Sequence, residues 1–263
     1  MTNWNEIDHN AKKWVQEAGE LIRQSFATTL SIETKSNPND LVTNIDKETE
    51  QFLMSKIKEV YPEDKILGEE GSGHDITSVE GIIWIIDPID GTMNFIHQKR
   101  NFAISVGIYK DGVGQIGLIY DVVHNELYHA VKGQGAFMND VQLPKLKETR
   151  IEEAIISISP SWVTENRRID YRILAPLIKR IRGTRCFGSA ALECAFVASG
   201  RISSYITMRL SAWDYAAGLV LLEEVGAVAT TVYGEPLNLL ENSSFFAGER
   251  NVHQQILDEY INK

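Results

Sequence analysis

Apolar residues at Ile7, Ala11, Trp14, Val15, Ala18, Leu21, Ile22 and Phe26 recur at helical spacing, which predicts an amphipathic helix over 7–26. A second stretch, 46–60, sets Thr49, Phe52, Leu53, Ile57 and Val60 on one face and ends before Pro62. The run Ile82-Ile83-Trp84-Ile85-Ile86 is too short for a helix and apolar on both faces, so it predicts a buried central strand closed by Asp87-Pro88. From 103 to 131, three strand-like runs are separated by Lys110-Asp111-Gly112 and His124-Asn125-Glu126, the texture of an antiparallel meander. The second half alternates. Strands are expected at 154–159, 202–207, 227–232 and 244–247, and helices at 171–182, 190–199, 213–225 and 251–261, with Gly226 stopping the third of these helices. This order predicts an α/β protein of layered sheets and helices rather than one parallel sheet. A weak boundary near residue 150 divides it into subdomains 1–150 and 151–263.

The chain has 263 residues, 43% of them hydrophobic and 24% charged, which suits one large domain or two closely packed ones. A formal net charge of −10 argues against a nucleic-acid partner, which would call for a basic surface. It leaves phosphorylated substrates open, because a metal site can supply positive charge. The two cysteines, Cys186 and Cys194, read as small buried hydrophobes in a reducing cytoplasm, with no disulfide framework. No apolar run approaches the ~18–20 residues of a membrane span, and the polar N-terminus carries no secretory signal. The expectation is a soluble protein without a membrane partner. Trp4 and Trp14 are expected in a core or dimer contact, and Lys12-Lys13 on a solvated face. The six histidines have no metal-ligand spacing, the Gly-x-Gly units are isolated, and no Gly-x-Ser-x-Gly elbow exists.

Candidate chemistry is concentrated at the end of the buried strand. Asp87 and Asp90 stand there, Pro88 biases Asp87 towards an extended conformation, and Gly91 permits a sharp turn. Thr92-Met93-Asn94-Phe95 would open a short helix whose first amides could face an anion. Two carboxylates without a nearby histidine or cysteine suit a hard cation such as Mg²⁺; the competing reading is a turn in which each aspartate caps backbone amides. Three further acids have plain explanations of their own. Glu69, in Gly68-Glu69-Glu70-Gly71, reads on its own as part of a solvated acidic loop. Asp46 and Asp214 each stand at a helix start, where a carboxylate is favoured as a cap or by the dipole.

Taken together, Glu69, the segment Asp87–Thr92, and Trp213-Asp214 followed by Ala217-Gly218 resemble the two signatures of the inositol monophosphatase family. The likeness extends through Leu41–Asp46 and Gly188-Ser189-Ala190, in order along essentially the whole chain. Thr92–Phe95 is similar to the inositol monophosphatase branch rather than to the 3′-phosphoadenosine phosphatases. The resemblance implies an α-β-α-β-α sandwich related to fructose-1,6-bisphosphatase, often a homodimer, and an Mg²⁺-dependent, Li⁺-sensitive phosphatase of small phosphorylated substrates using two to three ions.

By that resemblance Glu69, Asp87, the Ile89 carbonyl and Thr92 hold one ion, Asp87, Asp90 and Asp214 a second, and Glu69 reaches a third. Asp46 and Thr92 orient the nucleophilic water, the Gly91 and Thr92 amides hold phosphate, and Lys35 lies near the hydrated metal. Asp90, Gly188, Ser189, Ala190 and Asp214 touch the substrate. Inositol-specific members usually carry a Glu six residues before the motif Trp, where this chain has Thr207. Nearby Arg209 would suit a second phosphate. NADP(H) and fructose 1,6-bisphosphate are therefore alternative substrates to inositol monophosphate, and a non-catalytic sugar-phosphate binder is the alternative from another class.

Overall fold

In the computed structural model, which describes residues 2–27, 29–35 and 41–262, the first apolar stripe forms α1 (Trp4–Ser25), capped by the Asn3 side chain on the Glu6 amide. Ile7, Ala11, Trp14, Val15, Ala18 and Ile22 are buried, but Leu21 lies on the rim, 43% exposed. A small hairpin, β1 (Ile32–Thr34) and β2 (Leu41–Thr43), leads into α2 (Asn44–Val60). This helix starts earlier than its apolar face implies, because Thr43 is the N-cap: its hydroxyl accepts from the Ile45 and Asp46 amides. Val60 does not join the buried face; it sits in the last turn, 45% exposed.

Strand β3 (Lys65–Gly68) runs parallel to β4 (Ile82–Asp90), and after the short helix α3 (Thr92–Gln98) the meander follows as β5 (Ala103–Lys110), β6 (Val113–Asp121), β7 (Glu126–Val131), β8 (Gly135–Met138) and β9 (Val141–Gln142). Together they form a seven-stranded sheet in the order β3-β4-β5-β6-β7-β8-β9. The β5–β6 turn takes positive φ at both Asp111 (51°) and Gly112 (77°), as the tight hairpin requires.

The second sheet, in the order β11-β10-β12-β14-β13, is built from β10 (Ile155–Ile158), β11 (Gly183–Arg185), β12 (Ser204–Leu210), β13 (Val228–Thr230) and β14 (Ser243–Gly248). Helices α4 (Tyr171–Ile178), α5 (Ala190–Ala198), α6 (Ala212–Val225) and α7 (Arg250–Ile256) accompany it, and a π turn (Leu257–Ile261) extends α7. The helix expected over 171–182 stops at Ile178, and Gly183–Arg185 pairs with β10 instead.

Three apolar clusters define five layers. Helices α1 and α2 cover one face of the first sheet, where the buried Trp14 ring packs tilted against Trp84 (centroids 5.9 Å apart), so Trp14 is a core residue. Helices α5 and α6 lie between the sheets, and α4 and α7 cover the outer face of the second. The α-β-α-β-α sandwich is thus realised. Both cysteines are free. Cys194 is buried in the middle layer as expected, but Cys186 is exposed, since it follows the edge strand β11. Among the described residues no helix is long and apolar enough to cross a membrane.

Candidate active site

Pro88 has no N–H for the ladder, and the β4–β5 register shifts between Asp87 and Asp90. The strand therefore continues through the prolyl bend instead of closing at Asp87, and both aspartates sit within its last turn of chain. Gly91 follows with φ 96°, and α3 begins. Asp214 reaches the same place from the other half of the chain, as the third residue of α6. Carboxylate oxygens of Asp87, Asp90 and Asp214 all lie within 4.8 Å of one another.

Each acid is held locally. Asp87 Oδ1 accepts from the Ile89 amide at 3.0 Å. Asp90 accepts from the start of α5: the Ser189 hydroxyl, the Ala190 amide at 3.2 Å and the Ala191 amide at 2.8 Å. Asp214 Oδ2 accepts from the Ser211 amide at 2.7 Å, closing a capping box. Burial is the chief reason the protons bind tightly here. It pushes Asp87 well above the usual carboxylate range, aided by Glu69, Asp90 and Asp214. It does the same for Asp214, and Asp90 rises to about 7 despite its hydrogen bonds to Ser189 and Ala191. Three converging carboxylates, those of Asp87 and Asp90 buried and that of Asp214 half-buried, with no ammonium or guanidinium among them are an electrostatically unfavourable arrangement. A hard divalent cation relieves it, and an all-oxygen donor set fits Mg²⁺.

A second group borders the first. Asp46 Oδ2 accepts from the amide and hydroxyl of Thr43, while Oδ1 lies 3.0 Å from Thr92 Oγ1. The Thr92 hydroxyl also lies 3.1 Å from the Ile89 carbonyl, so two of the expected site atoms meet around the Thr92 oxygen. Asp46 is buried, which raises its pKa against the pull of the hydrogen bonds from Thr43 and Thr92. Glu69 is engaged differently: Lys35 Nζ donates to it at 3.0 Å and to Glu70 at 2.6 Å. Burial opposes the ammonium form of Lys35, but Glu69 and Glu70 outweigh it and hold its pKa above the usual range.

This geometry has counterparts. The model of the inositol monophosphatase family matches residues 3–262. The chain belongs to the inositol monophosphatase family. It is 65% identical over 261 residues to the inositol-1-monophosphatase of Bacillus subtilis, covering 99% of this chain and 98% of that one. The inositol monophosphate-bound structure of SaIMPase-II, from Staphylococcus aureus, superposes with a TM-score of 0.88 at 41% identity, covering 98% of this chain and 94% of that one; a second structure of that protein holds 2′-AMP. An IMPase/NADP phosphatase complexed with NADP and Ca²⁺ superposes with a TM-score of 0.91 at 28% identity, covering 98% of this chain and 96% of that one.

Within the family frame, Gly188, Ser189 and Ala190 stand beside the acids, since Ser189 and Ala190 bond Asp90 directly. Thr207 is buried on β12, and Arg209 is exposed two residues on, past the point where the β12–β14 register breaks. Arg209 makes no ion pair among the described residues, yet its charge is felt at Asp214. Sequence reasoning missed the residues that brace the site. Asn94 donates to the carbonyls of Asn101 and Phe187, tying α3 to the Gly188 segment. Glu193 accepts from the Phe187 and Gly188 amides; its signal was a lone acid in the apolar run of α5. Glu50 accepts from the Glu70 amide and the Ser72 hydroxyl, bracing the Glu69 loop. His74, set aside for want of ligand spacing, stacks on Trp213 (5.5 Å) and bonds the Gly68 carbonyl, so it joins that loop to α6.

Proposed function

We propose that this chain is an Mg²⁺-dependent phosphomonoesterase that hydrolyses inositol monophosphate to inositol and phosphate. The convergence of Asp87, Asp90 and Asp214 beside the Thr92–Asp46 pair carries this reading. Glu69, Asp87, the Ile89 carbonyl and Thr92 would hold a first ion, Asp87, Asp90 and Asp214 a second, and Glu69, released from Lys35, a third. When bound, Mg²⁺ supplies the positive charge this acidic site lacks and makes a coordinated water more acidic. The chain's own groups do the rest. Thr92 Oγ1 gives its proton to Asp46, so its oxygen is free to accept one from the attacking water. Burial makes Asp46 a stronger base than an ordinary carboxylate. Water adds to phosphorus in line, the ester P–O bond breaks, and the departing alkoxide takes up a proton to become the alcohol. The Gly91 and Thr92 amides orient phosphate oxygens, while Asp90, Gly188, Ser189, Ala190 and Asp214 line the side that meets the organic group.

Arg209, exposed and without an ion pair among the described residues, supports a second reading of the substrate range, in which a second anionic group is accepted beside the phosphate under attack. NADP(H) and fructose 1,6-bisphosphate are such substrates. Phosphate release from inositol 1-phosphate and these two, with and without Mg²⁺, tests both readings. No release from any substrate would end the enzyme reading. Arg209→Ala should lower kcat/KM for the doubly anionic substrates more than for inositol 1-phosphate, and equal loss on all would remove the second. Li⁺ in the millimolar range should inhibit. The division into subdomains 1–150 and 151–263 is supported by one large sheet falling in each. Two free cysteines support a reducing cytoplasm, and the homodimer expected from the family is checked by sedimentation.

A further inference from the structure

Strand β5 lies between the two parts of the acid cluster. Ser105 is the direct partner of Asp87 across the β4–β5 ladder, so the two side chains stand on the same face. It is fully buried, and its hydroxyl donates to the Trp213 carbonyl at 3.1 Å. Trp213 immediately precedes Asp214. The next residues on that face of β5 also meet α6. Gly107 lets the helix approach until an added Cβ would lie 2.9 Å from Ala216, and the Tyr109 hydroxyl donates to the Ala216 carbonyl at 2.8 Å. Of the three, Ser105 alone joins the strand position of one acid to the peptide that carries another.

We propose that Ser105 is a positioning residue, setting the separation of Asp87 and Asp214 and with it the affinity of the cation both would hold. This rests on the metal reading of the acid cluster. Removing the Ser105 hydroxyl leaves no orphaned group, because in a helix the amide four residues on, that of Ala217, serves the same carbonyl. What is lost is the restraint on the first turn of α6. Partners that orient metal ligands from behind characteristically change metal affinity by ~10-fold or more when removed.

The test uses full-length protein stripped with a chelator and titrated with Mn²⁺, free Mn²⁺ being read by electron paramagnetic resonance. Ser105→Ala should weaken one class of Mn²⁺ site by about tenfold, with its melting temperature close to that of the parent. The Mg²⁺ needed for half-maximal phosphate release should rise in proportion, while KM for substrate at saturating Mg²⁺ stays unchanged. Tyr109→Phe, which loosens the same helix away from the acids, should leave the isotherm as it was. Should the alanine variant lose its thermal transition, Ser105→Cys repeats the test with the volume kept and the donor weakened. An unchanged Ser105→Ala isotherm, or equal weakening in Tyr109→Phe, overturns the proposal while leaving the metal reading intact. Parent protein that binds no Mn²⁺ overturns both.

Discussion

Removing one charge from the acid cluster should stabilise the metal-free protein while crippling the metal-loaded one. Asp214→Asn is the cleanest such change. The carboxamide keeps the volume and an oxygen to accept from the Ser211 amide, so the helix cap survives. What disappears is repulsion. Two unit charges 4.8 Å apart repel by ~3.5 kcal/mol at an effective dielectric of 20. Partial protonation of the acids, and the α5 amides on Asp90, lower the net benefit to about 1–3 kcal/mol. For a chain of this size that is a rise in melting temperature of roughly 2–10 °C. Mg²⁺ at a hundred times its dissociation constant would stabilise the parent by ~2.7 kcal/mol, a gain the variant should largely lose. Differential scanning calorimetry at neutral pH, in a chelator and then in Mg²⁺, reads all four states. A variant less stable than the parent in chelator, or one with the same Mg²⁺ gain, would refute the reasoning and return Asp214 to the role of a simple cap.

Three further outcomes are expected. Asp46→Asn should lower kcat by about 10²–10⁴-fold with KM little changed, as loss of a general base does, and steady-state phosphate release measures it. Gly91→Ala should destabilise by ~1–2 kcal/mol from its left-handed backbone alone, with an added Cβ only 3.1 Å from the Asn101 carbonyl oxygen and 3.2 Å from that of Gly188; urea denaturation checks this. Burial pulls the pKa of His253, which stacks on Phe246 at 4.1 Å, down to about 4. The folded protein then binds this proton more weakly than the unfolded chain, whose histidine titrates near 6.5. Stability is therefore unaffected above pH 6.5 and falls between pH 6.5 and 4, by up to ~3 kcal/mol. Urea midpoints of the parent and His253→Gln at pH 7 and pH 4.5 test this, and a variant with the same pH loss would rule His253 out as its source.

Hydrophobic period alone determined the long elements, because a buried face repeated over several turns or strands is a strong local constraint. It also located Asp87, Asp90, Gly91 and Thr92, whose strand end, prolyl bend and turn are packed into a few consecutive residues. Short strands escaped it: β8, β9 and β11 hold two to four residues each, too few to show a period, and exist because a neighbouring strand offers hydrogen bonds. Asp46 and Asp214 mark the limit more sharply. Each could be read as a helix cap or as part of a site, and each does close a capping box on its own helix. The local sequence cannot separate the roles, since the same carboxylate, at the same position in the first turn, serves both. Only tertiary packing decides. Helix α6, seated on Gly107 and bonded by Ser105 and Tyr109, carries the Asp214 carboxylate to within 4.8 Å of acids from the other half of the chain. A cap is a relation between neighbours along the chain, whereas this site is a relation between layers.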